Sequence, residues 1–364
     1  MNKPAIYIHI PFCKRKCNYC AFVSVCDKTK QKEYISALIK EIESKANKSE
    51  ISSVYIGGGT PSTLYSGAIT QILDTVKKCF SLTDNCEITV EGNPDSITEE
   101  FVKECKQNGV NRISLGIQST HKHTLEFLGR IHDEFAYKRA IEIIRANGID
   151  NISGDLIIGV PNQTKQEIEQ DILALAHSDL SHISVYSLSI EEGTPFYKNG
   201  VTVDEDSQAD MYELVCTLLK NYGYDRYEVS NFAKNGKISK HNSKYWKGVV
   251  YYGFGVAAHS LLPKDKRSEN TSSINEYLQG ITTISSYTLT KQEKKEERIM
   301  LSLRTSDGLD ISAFDKDFNT SLLKDKKEQI KKLEDNELIK IENETIKVTD
   351  KGFYLLDSII MELI

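Results

Sequence analysis

No run of apolar residues in this 364-residue chain approaches the roughly 18 that a membrane-crossing helix requires. The opening, MNKPAIYIHIPFC, carries one early lysine and too short an apolar stretch for a secretory signal. Low-complexity linkers are lacking, and so is any internal repeat beyond a strand-helix unit. There is no excess of cations either: the formal net charge is −6, and lysine-rich tracts such as Lys324 to Lys332 are interleaved with acids, as on a solvated helix face. These absences exclude a bilayer-spanning helix and a general nucleic-acid binder, and they give the expectation of a soluble, cytoplasmic protein. With an apolar fraction of 39% the chain has enough material for a sizeable core, and its length favours one large domain plus a smaller one.

What the chain does have is cysteine in one place. Of eight cysteines, four lie between Cys13 and Cys26, and in a long unsecreted chain that crowding favours metal ligation over disulfides. Cys13, Cys17 and Cys20 form C-x3-C-x2-C directly after the strand-like run IYIHI. Three thiolates fall one short of a tetrahedral zinc site unless a remote Cys or His joins them. They suffice for three irons of a cubane cluster, whose fourth iron then stays open to a small molecule. Cys79, Cys86, Cys105 and Cys216 stand singly in apolar or amphipathic segments and read as core or surface residues.

Downstream, strand and helix patterns alternate. A helix is expected over Lys30 to Ala46, then a strand over Ser52 to Ile56 running into Gly57-Gly58-Gly59-Thr60-Pro61, then a helix over Ile69 to Phe80. Strands follow at Glu87 to Glu91, Arg112 to Gly116, Ile152 to Ile158 and Ile183 to Leu188, with helices between them. Six strands so arranged imply an α/β fold with a parallel sheet, right-handed crossovers and functional residues at strand C-terminal ends. After a further helix, Asp204 to Tyr222, the composition turns to short aromatic segments. From Ser285 onward helices at Glu293 to Leu303 and Leu322 to Leu333 precede a hairpin over Leu338 to Val348 turning at Glu342-Asn343, a winged-helix-like α+β pattern suited to a cap or docking module. The expected division is 1–223, 224–284 and 285–364.

The cysteine spacing, with Phe22 two residues after the last cysteine, resembles the radical S-adenosylmethionine (SAM) superfamily. IYIHIPFC, YIGGGTPS, EGNP, RISLGIQS, DLIIGVP, EEGTPFY, YEVSNFA and HNSKYW extend the likeness over nearly the whole chain, to the oxygen-independent coproporphyrinogen oxidase family and the related HemW group of haem chaperones. Two features separate those relatives. The oxidase has a fourth cysteine where Phe22 stands here, and a longer segment before its first strand. His241-Asn242-Ser243-Lys244-Tyr245-Trp246, which holds the chain's only tryptophan, matches the HNxxYW signature of the HemW group.

This resemblance implies a partial (βα)6 radical SAM barrel with a smaller C-terminal winged-helix-like domain. It implies a 4Fe-4S cluster on Cys13, Cys17 and Cys20, with SAM chelating the open iron. Tyr7, Phe22, Gly58, Gly59, Thr60, Glu91, Gln118, Arg130 and Asp155 match family positions around SAM, and His241 is the expected haem ligand, with His259 a lesser alternative and His9 a supporting residue. The implied function is haem carriage to acceptor haem proteins, including transient contact with membrane-bound ones. The rival is radical decarboxylation of coproporphyrinogen III, and a winged-helix regulator sensing SAM or redox state is the third reading. Oligomeric state is not legible in the sequence.

Overall fold

The computed structural model describes residues 3–364. Its first six strands are β1 (Ala5–Ile10), β2 (Glu50–Gly58), β3 (Ser81–Gly92), β4 (Arg112–Gln118), β5 (Ile152–Ile158) and β6 (His182–Ser187). They lie side by side in sequence order and pair in parallel, with helices in every crossover. Start signals explain several of those helices: Thr164 and Glu167 form a capping box for Lys165–His177, and the Asp204 side chain accepts from Ser207 N at the start of Glu205–Asn221.

The strands alternate strictly. Ile6, Ile8, Ile10, Val54, Ile56, Val90, Ile113, Leu115, Ile152, Leu156, Ile183 and Val185 are all fully buried in the main core with the helices. The intervening positions carry Tyr7, His9, Ser53, Tyr55, Glu87, Thr89, Glu91, Arg112, Ser114, Ser153, Asp155, His182, Ser184 and Tyr186. Register aligns these on one face: Tyr7 opposite Tyr55, Tyr55 opposite Thr89, Glu91 opposite Ser114, Ser114 opposite Ser153, and Asp155 opposite Ser184. A closed eight-stranded barrel fills its interior with branched apolar side chains. Here the inner face is polar, and residues of β2 through β6 line a single cavity of about 570 Å³, which requires the sheet to curl.

The aromatic-rich stretch after Tyr222 is part of the large sheet. It supplies strands to both ends of the sheet. β7 (Asp225–Arg226) and β8 (Asn231–Ala233) continue antiparallel from β6. Then β9 (Tyr251–Phe254) adds parallel to β1, followed by antiparallel β10 (His259–Leu262), β11 (Lys266–Asn270) and β12 (Thr283–Thr288), for twelve strands in all among the described residues. A buried carboxylate ties this extension down: Glu41 accepts from Gly255 N, Asn270 Nδ2 and Tyr277 Oη at 2.6–2.8 Å. Such pairing was illegible because short aromatic strands carry no crossover helix to mark them.

The C-terminal unit has its own core around Leu303, Phe314, Leu333, Ile346 and Ile359. Its strands β13 (Leu309–Asp310), β14 (Ile339–Glu342) and β15 (Thr345–Val348) are ordered β13-β15-β14. The hairpin turns at Asn343-Glu344, both with positive φ, one residue later than expected, and the helix expected over Leu322 to Leu333 breaks at Lys326. The unit docks on the β7 end of the large sheet, where the Arg226 guanidinium lies 3.7 Å from the Phe353 ring centre and bonds Asp350 at 2.7 Å.

Candidate functional site

The chain leaving β1 forms a loop that closes on itself. Cys13 N donates to Val25 O (3.0 Å) and Val25 N to Pro11 O (2.8 Å), so Cys13, Cys17 and Cys20 fall inside the closed loop and exposed Cys26 falls just beyond it. The loop is pinned to the barrel by Asn18, whose backbone and side chain donate to Leu128 O and Phe127 O, and by His9, whose Nε2 meets Val23 O at 2.8 Å. The three thiols line one region of the cavity wall. Among the described residues no three Cys, His, Asp or Glu converge on one point. A cubane asks for something else, one thiolate per iron, and needs donors to the sulfurs. Thr60 Oγ1 donates to Cys13 Sγ at 3.4 Å and Arg130 donates to Cys17 Sγ at 3.5 Å, while burial pushes the Cys13 thiol up. The donor set fits the group.

The geometry gives a steric reason for the glycine run. A Cβ on Gly57 would sit 2.7 Å from the Glu91 carboxylate, one on Gly58 2.3 Å from His9 Nδ1, and one on Gly59 2.6 Å from Ile10 O. Protein atoms, not an open cradle, occupy the space, and Gly58 also takes φ +104°. The backbone of Gly58 and Gly59 still faces the cavity, with Gly58 N donating to Glu91 Oε2 at 3.0 Å.

Glu91 and Gln118 near strand ends, Asp155 within β5 and Arg130 in the loop that follows the helix Lys122–Leu128 come together on the cavity wall. Gln118 adopts φ +70° at a register shift in β4, a strained backbone for a residue with a Cβ and a mark of a shaped site. Burial pushes the Glu91 carboxyl up to about 7, against the pull of hydrogen bonds from Tyr55 and Gly58, while nearby Asp155 adds repulsion. Burial likewise raises Asp155 to about 6, opposed by Ser184, Ser114 and the guanidinium of Arg112. Arg130 is held by Asn93 Oδ1 at 2.7 Å and by Gly116 O.

Two expected site residues, Tyr7 and His241, stand off the cavity wall, and Phe22 stands at its mouth. Tyr7 is off the cavity wall, stacked on Tyr55 with its hydroxyl 3.1 Å from His9 Nδ1, so it supports the wall instead of forming it. Phe22 is 65% exposed at the cavity mouth. His241 lies at the opposite end of the strands. It is only 1% exposed, with Nδ1 3.1 Å from Ser53 Oγ and Nε2 2.8 Å from Tyr245 Oη. Both nitrogens are engaged, the Tyr55 ring lies beside the imidazole and the Tyr245 ring meets it edge-on, and burial depresses the pKa of this histidine to about 3. Its backbone N–H donates to Glu87, closing the barrel floor. Ser53 precedes Gly58 by five residues, so floor and cluster loop are separated by roughly 16 Å of strand.

Residues that motif reading missed are those of the inner face: Tyr55, Arg112, Ser114, Ser153, His182, Ser184 and Tyr186, all on the cavity wall. Their signal was present as a period of two, with polar residues at alternate positions of strands that are covered on both faces.

Comparison with known proteins gives a consistent placement. Residues 7–175 match the Radical SAM superfamily and residues 289–355 the HemN C-terminal domain. The chain is 36% identical to a haem chaperone HemW of Lactococcus lactis, over 98% of this chain and 96% of that protein, and 34% identical to the Bacillus subtilis HemW over 87% of each. A zebrafish mitochondrial protein, radical S-adenosyl methionine domain-containing protein 1, is 30% identical over 98% of this chain and 86% of its own. Among solved structures the fold resembles coproporphyrinogen III oxidase of Escherichia coli, with TM-score 0.86 at 22% identity, covering 99% of this chain and 90% of that one.

Proposed function

This chain belongs to the HemW family within the radical SAM superfamily, and on that premise we propose that it is a cytoplasmic haem chaperone that binds haem and passes it to acceptor haem proteins. Radical SAM membership implies a 4Fe-4S cluster and SAM. In the proposed arrangement Cys13, Cys17 and Cys20 would hold the cluster, and the chemistry that cluster and SAM would supply together is reductive cleavage of the SAM sulfonium. Glu91, Gln118, Arg130 and Asp155 are the residues that would orient SAM, with Gly58 and Gly59 backbone beside it. Glu91 accepts hydroxyl or ammonium donors when ionised, and Arg130 fixes the Cys17 sulfur from the cavity side.

The observation that carries the chaperone reading over the oxidase one is Phe22. It stands where the oxidase family has a fourth cysteine, and its ring is exposed at the mouth. The test is haem uptake by the reconstituted protein, followed by release to an apo-haem protein, run beside a coproporphyrinogen turnover assay.

A pH dependence follows for SAM. With the Glu91 carboxyl at about 7, it is mostly protonated at pH 6 and mostly ionised at pH 8. If its ionised form accepts donors from SAM, affinity measured calorimetrically on cluster-loaded protein should be about tenfold weaker at pH 6 than at pH 8. Glu91→Gln should flatten that profile and lower affinity at pH 8 to near the pH 6 value. A variant that keeps the wild-type slope would remove Glu91 from the SAM site.

A further inference from the structure

Asn93 follows β3 on the cavity wall and stands between two of the cluster-loop thiols. Its Oδ1 accepts from Arg130 Nη2 at 2.7 Å, and its Nδ2 donates to Thr60 Oγ1 at 3.2 Å. Arg130 Nη1 donates in turn to Cys17 Sγ at 3.5 Å, and Thr60 Oγ1 to Cys13 Sγ at 3.4 Å. One amide thus joins two thiols through an unbroken chain of hydrogen bonds. Its members come from three separate loops, after β2, after β3 and after the helix Lys122–Leu128, so the chain exists only in the folded protein.

Chemistry fixes the direction of every bond. A guanidinium can only donate, so the Asn93 oxygen faces Arg130 and its NH2 faces Thr60. With that NH2 on the Thr60 oxygen, the single hydroxyl proton is left for the Cys13 sulfur. At the other end Arg130 Nη2 is committed to Asn93 Oδ1 and Gly116 O, which turns Nη1 onto Cys17. The surroundings are shaped around the chain. A Cβ on Gly116 would stand 3.0 Å from Asn93 Oδ1 and 3.1 Å from Arg130 Nη2. The Asn93 backbone is anchored as well, its N–H donating to Ser62 Oγ at 3.4 Å and its carbonyl accepting from Ser96 N and Oγ at 2.9 Å. Thr60 is buried, so bulk water does not compete for its hydroxyl.

We propose that Asn93 is a positioning residue for the cluster: through Thr60 and Arg130 it aims one donor at each of two ligand sulfurs and so holds the reduction potential of the cluster up. One-electron reduction adds negative charge that the thiolate sulfurs share, and a donor to a ligand sulfur stabilises the reduced form more than the oxidised one. One of the two donors is itself charged. Residues of the cavity wall therefore also set how readily the cluster accepts an electron. This rests on the cluster assignment above, in which Cys13 and Cys17 are ligands.

The test is a redox titration, followed by electron paramagnetic resonance, of anaerobically reconstituted full-length protein without SAM, with iron and sulfide measured on each sample. Thr60→Val keeps the shape and removes the hydroxyl. It should disfavour the reduced cluster about tenfold, a drop of about 59 mV for a one-electron couple, whereas Thr60→Ser should stay within twofold of the wild type. Asn93→Asp should lower the potential at least as far, because a carboxylate accepts the Thr60 proton, drawing it off Cys13, and offsets the Arg130 charge. If Asn93→Asp loses iron, Asn93→Ala takes its place and should also lower the potential. Reduction equilibria within twofold of the wild type at both positions, at full iron content, would overturn the proposal. A drop at only one of the two positions would overturn it as well, since the chain requires both. A wild-type protein that takes up no iron would instead bring down the cluster reading on which the proposal stands.

Discussion

Serine at Cys13, Cys17 or Cys20, one position at a time, is expected to leave anaerobically reconstituted protein with a small fraction of its iron and sulfide, while Cys26→Ser retains the full content. The loop geometry gives the reason. The paired hydrogen bonds between Pro11, Cys13 and Val25 close a loop that contains three thiols and excludes the fourth. Thr60 and Arg130 donate to the Cys13 and Cys17 sulfurs, so two of the three already have partners suited to a thiolate. A serine alkoxide is a poorer ligand to iron than a thiolate, and with three ligands there is no spare. Cys26 is exposed and beyond the closure. Iron and sulfide analysis with the visible absorption of the cluster separates the outcomes; equal loss at Cys26 would mean a four-thiolate cluster with no open iron for SAM.

His241→Ala should be felt in folding and not in haem binding. Truncating a fully buried aromatic ring removes its packing against Tyr55 and Tyr245 and strands the hydroxyls of Ser53 and Tyr245, at a cost of roughly 3 kcal/mol. A pH signature accompanies it. The folded-state pKa, about 3, lies below the ordinary histidine value near 6.5, so the stability the neutral ring contributes is fully present above pH 6.5 and is lost as pH falls toward 3. Wild-type urea midpoints should therefore decline across that window, with up to about 1.4 kcal/mol per pH unit attributable to this group, and the variant should lack that share. Its Soret band with haem should match the wild type. A lost or shifted Soret band at unchanged stability would make His241 an iron ligand.

The contrast between His241 and Cys13 shows what kind of feature a sequence makes legible. Three thiols within eight residues on one loop are a local pattern, and no tertiary contact can reassign them. Six strand-helix units were legible for the same reason, since each is marked by its own periodicity and crossover. His241 is different, because an imidazole beside aromatics suits a haem and suits a packed floor equally well. Its packing comes from Ser53, Glu87 and Tyr245, and the first two are drawn from remote parts of the chain. The glycine run is similar: beside Gly57, Gly58 and Gly59 the space a Cβ would need is filled by Glu91, His9 and Ile10, neighbours that only the folded chain reveals. The inner face of the barrel was readable and went unread. SSVY, EITVE, RIS, SGD and HISVY each place polar residues two apart, a pattern that strands covered on both sides would not show unless one side lined a cavity. The strands between Tyr224 and Thr288 left no such trace, being short and joined to the sheet at both of its ends.

The central claim is that this chain carries haem and does not decarboxylate its precursor. It is tested most directly by giving one anaerobic preparation, loaded with cluster and SAM, first haem and then an apo-globin, and giving a second aliquot coproporphyrinogen III with a low-potential reductant. Haem uptake followed by appearance of the holo-globin spectrum, with no protoporphyrinogen above background in the second aliquot, is the predicted result. Multiple turnovers of coproporphyrinogen would contradict it whatever the first aliquot showed.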